Sequence, residues 1–115
     1  MVDDSATARG WARGVLESAG YEVATAIDGE DGWRSIQESS PELVVCDVDM
    51  PRMGGFALTE TVRASARFAR LPIILFTSRA AEPDRARGSE AGADAFLAKG
   101  TDAGPALLGA VAGLI

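Results

Sequence analysis

Residues 43–55 read Leu43-Val44-Val45-Cys46-Asp47-Val48-Asp49-Met50-Pro51-Arg52-Met53-Gly54-Gly55. Leu43–Val48 is a β-rich run with no polar alternation, the pattern of a strand buried on both faces. Asp47 follows directly on Leu-Val-Val-Cys, and a carboxylate there is costly unless it is paired or bound to a metal. Pro51 and Gly54-Gly55 then mark a loop. Parallel sheets covered by helices contain strands of this kind, so helices and strands should alternate on either side of the run.

They do. From Ser5, a fair N-cap, the residues Ala8, Trp11, Ala12, Val15, Leu16 and Ala19 follow helical spacing, and Gly20 ends the pattern. Tyr21–Thr25 reads as a short strand. Gly29 opens a second helix through Trp33 and Ile36 that closes before Pro41. After the 43–48 strand, Phe56, Thr59, Val62 and Ala66 mark a third helix, and Pro72–Thr77 is a second buried strand. Glu82–Ala91 is a weak helix containing Gly88 and ended by Gly92, and Ala95–Ala98 is a short last strand. Pro105 suits a first helical turn, with Ala106, Leu107, Ala110, Val111 and Leu114 as the buried stripe. The expected fold is α/β, a doubly wound five-stranded parallel sheet flanked by helices, with a truncated first strand at Met1-Val2. Residues 1–115 make a single domain.

Composition narrows the chemistry. Of 115 residues, 47% are hydrophobic but only 6% aromatic, so Ala, Val, Leu and Ile must build the core. The net charge of -6 argues against nucleic acid and anionic membrane surfaces, which need clustered Lys and Arg. The chain has no histidine, which removes His-based metal sites and Ser-His-Asp triads together. The lone Cys46 allows no intramolecular disulfide or zinc cluster, and a thiol in an apolar strand fits a reducing, cytoplasmic setting. No apolar run approaches a membrane span, and no signal-peptide pattern is present.

In doubly wound sheets the ligand site lies beyond the carboxyl ends of the strands. That rule selects Asp3 and Asp4, Asp47 and Asp49, Thr77 and Ser78, and Lys99. Crowded carboxylates repel unless a cation lies between them, and hard oxygen ligands favour Mg²⁺. Asp3 or Asp4 with Asp47 would hold the metal, with a backbone carbonyl near Asp49 as a further ligand. An Asp47 oxygen is then a competent nucleophile toward an activated phosphoryl group, with Thr77 and Lys99 placed to meet its oxygens. Taken singly, each residue has a plainer reading. Asp3 and Asp4 could form a solvated, helix-capping N-terminus, Asp49 a turn cap, Thr77 a strand-end hydroxyl and Lys99 a surface lysine. Only their joint placement favours a site.

The chain resembles the receiver domain of two-component response regulators along nearly its whole length. The resemblance is carried by Val2-Asp3-Asp4-Ser5, Asp47-Val48-Asp49-Met50-Pro51-Arg52-Met53-Gly54-Gly55-Phe56, Phe76-Thr77-Ser78, Glu90-Ala91-Gly92-Ala93-Asp94-Ala95-Phe96, and Lys99. It implies a flavodoxin-like fold with Asp47 as the phosphoacceptor and Asp3 and Asp4 as the acidic pair holding Mg²⁺. Thr77 and Lys99 become the phosphoryl contacts, and Phe96 the switch aromatic that moves with Thr77. Phe96 reads equally as a core aromatic. The implied donor is a phosphohistidine on a histidine kinase or histidine phosphotransfer domain, and a chain without histidine can accept but not donate in that way. The implied output is a downstream protein partner or linked domain. A homodimer is allowed, direct contact with nucleic acid is not expected, and the domain is a phosphoacceptor that assists its own phosphorylation rather than an enzyme.

Three features depart from the family. Only Met1-Val2 precede the acidic pair where receivers carry a full, central apolar strand, so exposed core and lower stability are expected. Gly100 follows Lys99 where the family usually has a cis proline, which should loosen that loop. The position two after the phosphoacceptor holds an acid, Asp49, which should alter metal affinity and phosphate lifetime. Lys99-Gly100 and the 90–96 stretch look most similar to receivers of chemotaxis-type hybrid histidine kinases. Two other readings stand beside this one. One is a phosphate-independent interaction module on a receiver fold. The other, drawn from Asp47-Val48-Asp49, is an Asp-nucleophile phosphatase of the haloacid-dehalogenase type, for which the chain offers no cap domain.

Overall fold

The structure is a computed structural model that describes residues 1–78 and 81–115. The described residues form five helices, α1 (Ala6–Ser18), α2 (Gly29–Ser39), α3 (Gly55–Ala64), α4 (Glu82–Ala91) and α5 (Ala103–Leu114), and three strands that alternate with them from α2 onward, β1 (Val44–Cys46), β2 (Ile73–Thr77) and β3 (Ala95–Ala98). The strands are parallel in the order β1-β2-β3, with Val45 opposite Ile74 and Leu75 opposite Phe96. Val2 extends the sheet beyond β1 by single parallel bridges to Cys46 and to Ala26. Three of the five expected strands therefore form, the first is reduced to single bridges at Val2, and the partner of one of these, Ala26, lies just past the expected Tyr21–Thr25 strand.

Tyr21–Thr25 forms no strand, contrary to its apolar pattern. A parallel ladder needs a neighbour of equal length, and Met1-Val2 supplies little of one. Among the described residues the Met1 amine donates to Ala24 (2.8 Å), and just beyond the segment Ala26 N–H donates to Met1 (3.0 Å) and Asp3 N–H to Ala26 (3.1 Å). An open cleft of about 940 Å³ runs beside it, lined by residues such as Leu16, Tyr21, Val23, Leu43 and Ile36.

Alternate residues of β1 and β2 feed two cores, because side chains along a strand point to opposite faces. Val44, Cys46, Ile73 and Leu75 pack with Ile36 of α2 and Leu58 and Val62 of α3. Val45, Ile74 and Phe76 pack with Ala12 and Leu16 of α1 and Leu107 and Val111 of α5. Residues 73–76 are each at most 1% exposed, worth roughly 1.5–3 kcal/mol apiece against the entropy of ordering them. The buried stripe of α5 starts earlier than its sequence suggests. Ala103, Leu107 and Val111 are buried, Ala110 and Leu114 half-buried, and Ala106 faces solvent.

Local signals set most of the helix ends. The Ser5 hydroxyl accepts from Ala8 N–H and caps α1, and the Asp28 carboxylate accepts from Asp31 N–H and caps α2. Gly20 and Gly92 take φ of 92° and 105°, the left-handed conformation that ends α1 and α4.

Candidate functional site

Asp3, Asp47, Thr77 and Lys99 stand at the carboxyl ends of their strands because the sheet is parallel and in register. Thr77 pairs with Ala98, so Lys99 lies one step beyond, and its N–H donates to the Thr77 carbonyl (2.9 Å). The Val2 carbonyl accepts from Asp47 N–H (2.9 Å), which brings Asp3 level with the end of β1.

The carboxylates of Asp3, Asp4 and Asp47 offer oxygens within 4.8 Å of one another. Asp3 is fully buried (0% exposed), Asp47 nearly so (8%), and Asp4 is exposed at the mouth. Lys99 balances the inner two, donating from Nζ to Asp3 Oδ2 (2.7 Å) and to Asp47 Oδ2 (3.3 Å). The other oxygens are engaged by backbone: Asp3 Oδ1 accepts from Ser5 N–H (2.9 Å) and Asp47 Oδ1 from Val48 N–H (2.7 Å). Burial works against the charge on Lys99. The hydrogen bond to Asp3 and the fields of both carboxylates outweigh it, so its pKa stands above the ordinary lysine value. The neighbouring Cys46 thiol is pushed far up, first by complete burial and then by Asp47, so it carries no thiolate at neutral pH.

Thr77 is 1% exposed and Phe96 half-buried. The Phe96 ring lies against Gly88 and under the Arg85 guanidinium, 5.4 Å from the ring centre. The Asp49 side chain is exposed and stands outside the carboxylate cluster, so its contribution to a metal would come through its backbone. The three clustered carboxylates are hard oxygen donors around a cation position that Lys99 only partly neutralises. That donor set fits Mg²⁺.

Sequence reasoning missed three neighbours of the site. Arg9 donates from Nη1 to the Asp3 carbonyl (2.7 Å), fixing the acidic pair to α1. Trp11 stacks on Phe76 (5.9 Å, 16° between planes), and the Lys99 ammonium lies 5.9 Å from that Phe76 ring on the way to the carboxylates. Asp28, 2% exposed, binds Arg52 of the loop after Asp47. An Asp-Gly pair ahead of a helix was a legible N-cap signal for Asp28, but nothing in the sequence names its partner.

The profile of the response regulator receiver domain matches residues 1–111. The chain belongs to the response regulator receiver domain family. That membership decides between the receiver and phosphatase readings, and it makes the chain a phosphoacceptor signalling domain of the two-component type. The receiver is 38% identical over 100 residues to a gliding motility regulatory protein of Myxococcus xanthus, covering 87% of this chain and 13% of that protein. To Protein PilG of Pseudomonas aeruginosa it is 33% identical over 99 residues, covering 86% and 73% of the two chains. A solved response regulator from Chloroflexus aurantiacus superposes with a TM-score of 0.93 at 34% identity, over 98% of this chain and 92% of that one. Vibrio cholerae CheY4 superposes at 0.91 with 31% identity, over 99% and 94%. The receiver thus spans a small part of some relatives, 13% of the Myxococcus protein and 45% of the Synechocystis response regulator Rre1. No helix among the described residues is long and apolar enough to cross a membrane.

Proposed function

We propose that Asp47 accepts the phosphoryl group, that Asp3, Asp4 and a backbone carbonyl near Asp49 hold Mg²⁺ beside it, and that Thr77 and Lys99 receive the phosphoryl oxygens. The observation that carries this reading is the convergence of three carboxylates within 4.8 Å around a lysine that reaches two of them. Residues 1–115 then act as one receiver domain.

Val48 N–H engages Asp47 Oδ1, whereas Asp47 Oδ2 faces the Lys99 ammonium at 3.3 Å and is the nucleophile in this reading. It attacks phosphorus in line with the leaving nitrogen of a phosphohistidine. The new O–P bond forms as the N–P bond breaks, and the donor imidazole keeps the electron pair. Val48 N–H holds the other Asp47 oxygen, so the nucleophile is oriented before the donor arrives. Asp3, Asp4 and Asp47 would hold Mg²⁺, which would supply charge neutralisation for the transfer. Lys99 turns from Asp3 and Asp47 to the incoming oxygens, and Thr77 donates its hydroxyl to one of them. The chain thereby promotes its own phosphorylation without turning over a substrate.

Movement of Thr77 would reach Phe96 and α4, biasing a pre-existing equilibrium at the α4, β3 and α5 face. The donor is read as a histidine kinase or histidine phosphotransfer domain in the cytoplasm, and the output as a partner protein, a linked domain or a second copy. A 33% identity over 100 residues to the sensor histidine kinase CheAY of Helicobacter pylori, of which the receiver covers 12%, supports a place within a hybrid kinase.

Intact mass after incubation with phosphoramidate and Mg²⁺ tests the reading. One phosphoryl adduct that requires Mg²⁺ and is absent from Asp47→Asn is expected. A folded chain that takes no adduct overturns it and leaves a phosphate-independent interaction module.

A further inference from the structure

The loop from Val48 to Gly54 carries the backbone proposed to meet the metal, and its shape is held from both ends. At its base Gly55 N–H donates to the Val48 carbonyl (2.9 Å), and a Cβ on Gly55 would come within 2.2 Å of the Asp47 carbonyl. At its tip Met53 N–H turns back on Pro51 (2.7 Å), and Gly29 N–H of α2 donates to the Met53 carbonyl (2.9 Å). A Cβ on Gly29 would lie 2.2 Å from that carbonyl, so loop and helix meet backbone to backbone.

Arg52 sits at this tip with φ of 66°, a conformation that side-chain-bearing residues rarely adopt. It belongs to no hairpin, so the surroundings must impose it. Its Nε donates to Asp28 Oδ2 at 2.7 Å and its Nη2 binds the same oxygen. Asp28 is an unusually firm anchor. It is 2% exposed, its Oδ1 accepts from Asp31 N–H (2.9 Å), and it closes the N-terminus of α2. The Arg52 side chain itself is 55% exposed, so the guanidinium fills no core space. An exposed arginine on a strained backbone, forked onto a buried helix cap, has one evident use: it pins the loop.

We infer that Arg52 is a positioning residue for the chemistry at Asp47, its guanidinium on Asp28 holding the 48–54 loop so that the Asp49 peptide faces the metal. The inference rests on the phosphoacceptor reading above. Arg52 touches neither metal nor phosphoryl group and acts through the backbone it holds, in the way that outer-shell partners orient metal ligands.

Charge makes the test decisive. Removing a cation near an acidic site should, by Coulomb's law alone, strengthen Mg²⁺ binding. If Arg52 positions the loop, its removal weakens binding instead. Mg²⁺ affinity measured by calorimetry on the full chain should fall about tenfold in Arg52→Ala, the lower end of outer-shell effects. Arg52→Gly, which tolerates the left-handed backbone, should lose as much, because the guanidinium rather than the φ angle is what matters. Arg52→Lys, keeping one donor to Asp28, should recover part of the loss. With phosphoramidate, the Mg²⁺ concentration for half-maximal phosphorylation should rise further than the maximal rate falls. A urea melt of each variant separates this from global unfolding. Variants that are folded and bind Mg²⁺ as tightly as the parent overturn the inference while leaving Asp47 as acceptor. A folded parent that binds no Mg²⁺ and takes no phosphoryl group overturns both.

Discussion

Lys99 and Asp3 are joined at 2.7 Å across 96 residues of chain, the ammonium on one strand end neutralising a fully buried carboxylate on another. Chemistry and stability meet in this pair, since the charge that would receive phosphoryl oxygens also makes Asp3 tolerable in the interior.

Lys99→Met should therefore destabilise the chain by about 3 kcal/mol in EDTA, the scale for stranding one partner of a buried pair. Mg²⁺ should restore part of that loss by replacing the missing cation. Urea denaturation with EDTA and with Mg²⁺ gives both numbers, and equal midpoints in parent and variant without metal would contradict the account. The raised pKa of Lys99 keeps the pair's contribution fully present below the ordinary lysine value of 10.5 and removes it only at more alkaline pH.

A second pH dependence belongs to the Met1 amine. Burial lowers its pKa from 8.0 to about 6, while it donates to the Ala24 carbonyl. Between these values the unfolded chain binds more protons than the folded one, so stability rises with pH from about 6 to 8, by at most about 2–3 kcal/mol. No histidine titrates in that window. Urea midpoints across it should climb for the free amine and stay flat for an acetylated N-terminus.

Trp11 should report on the site. Its ring stacks on Phe76, and the Lys99 ammonium lies 5.9 Å from that Phe76 ring. Mg²⁺ titration should change tryptophan emission as Lys99 is displaced from the carboxylates. Trp11→Phe should abolish the change. Trp33→Phe should keep it, because Trp33 meets Phe68 edge-on in the other core.

Gly88→Ala tests the seat of Phe96. In a helix interior this change normally gains about 1 kcal/mol. Here the new Cβ would stand 2.7 Å from Phe96 Cδ2 and 3.2 Å from Leu75 Cδ1, so a net loss of about 1–2 kcal/mol is expected from overpacking. Phe96→Leu in the same background should relieve it. Thermal melts of the single and double variants measure the coupling.

The helices and the three full strands were legible because their signals are local. The Ser5 cap, the αL glycines Gly20 and Gly92 and the unbroken apolar runs at Val44 and Ile73 each act within one or two turns of chain. Tyr21–Thr25 misled because strand propensity says nothing of whether a neighbour is long enough to pair. Ala106 misled because helical spacing sets the width of a stripe, while contact with β3 and α1 sets its phase.

The sequence by itself determined the parallel α/β order and marked Asp3, Asp4, Asp47, Thr77 and Lys99 as candidates, because strand ends in a doubly wound sheet can be counted along a chain. Tertiary structure alone decided that Asp49 stands outside the carboxylate cluster, that Lys99 spans Asp3 and Asp47, and that Arg52 rests on Asp28. Such pairings join residues 24 to 96 positions apart. They depend on the direction of side chains across packed elements, which no local propensity encodes.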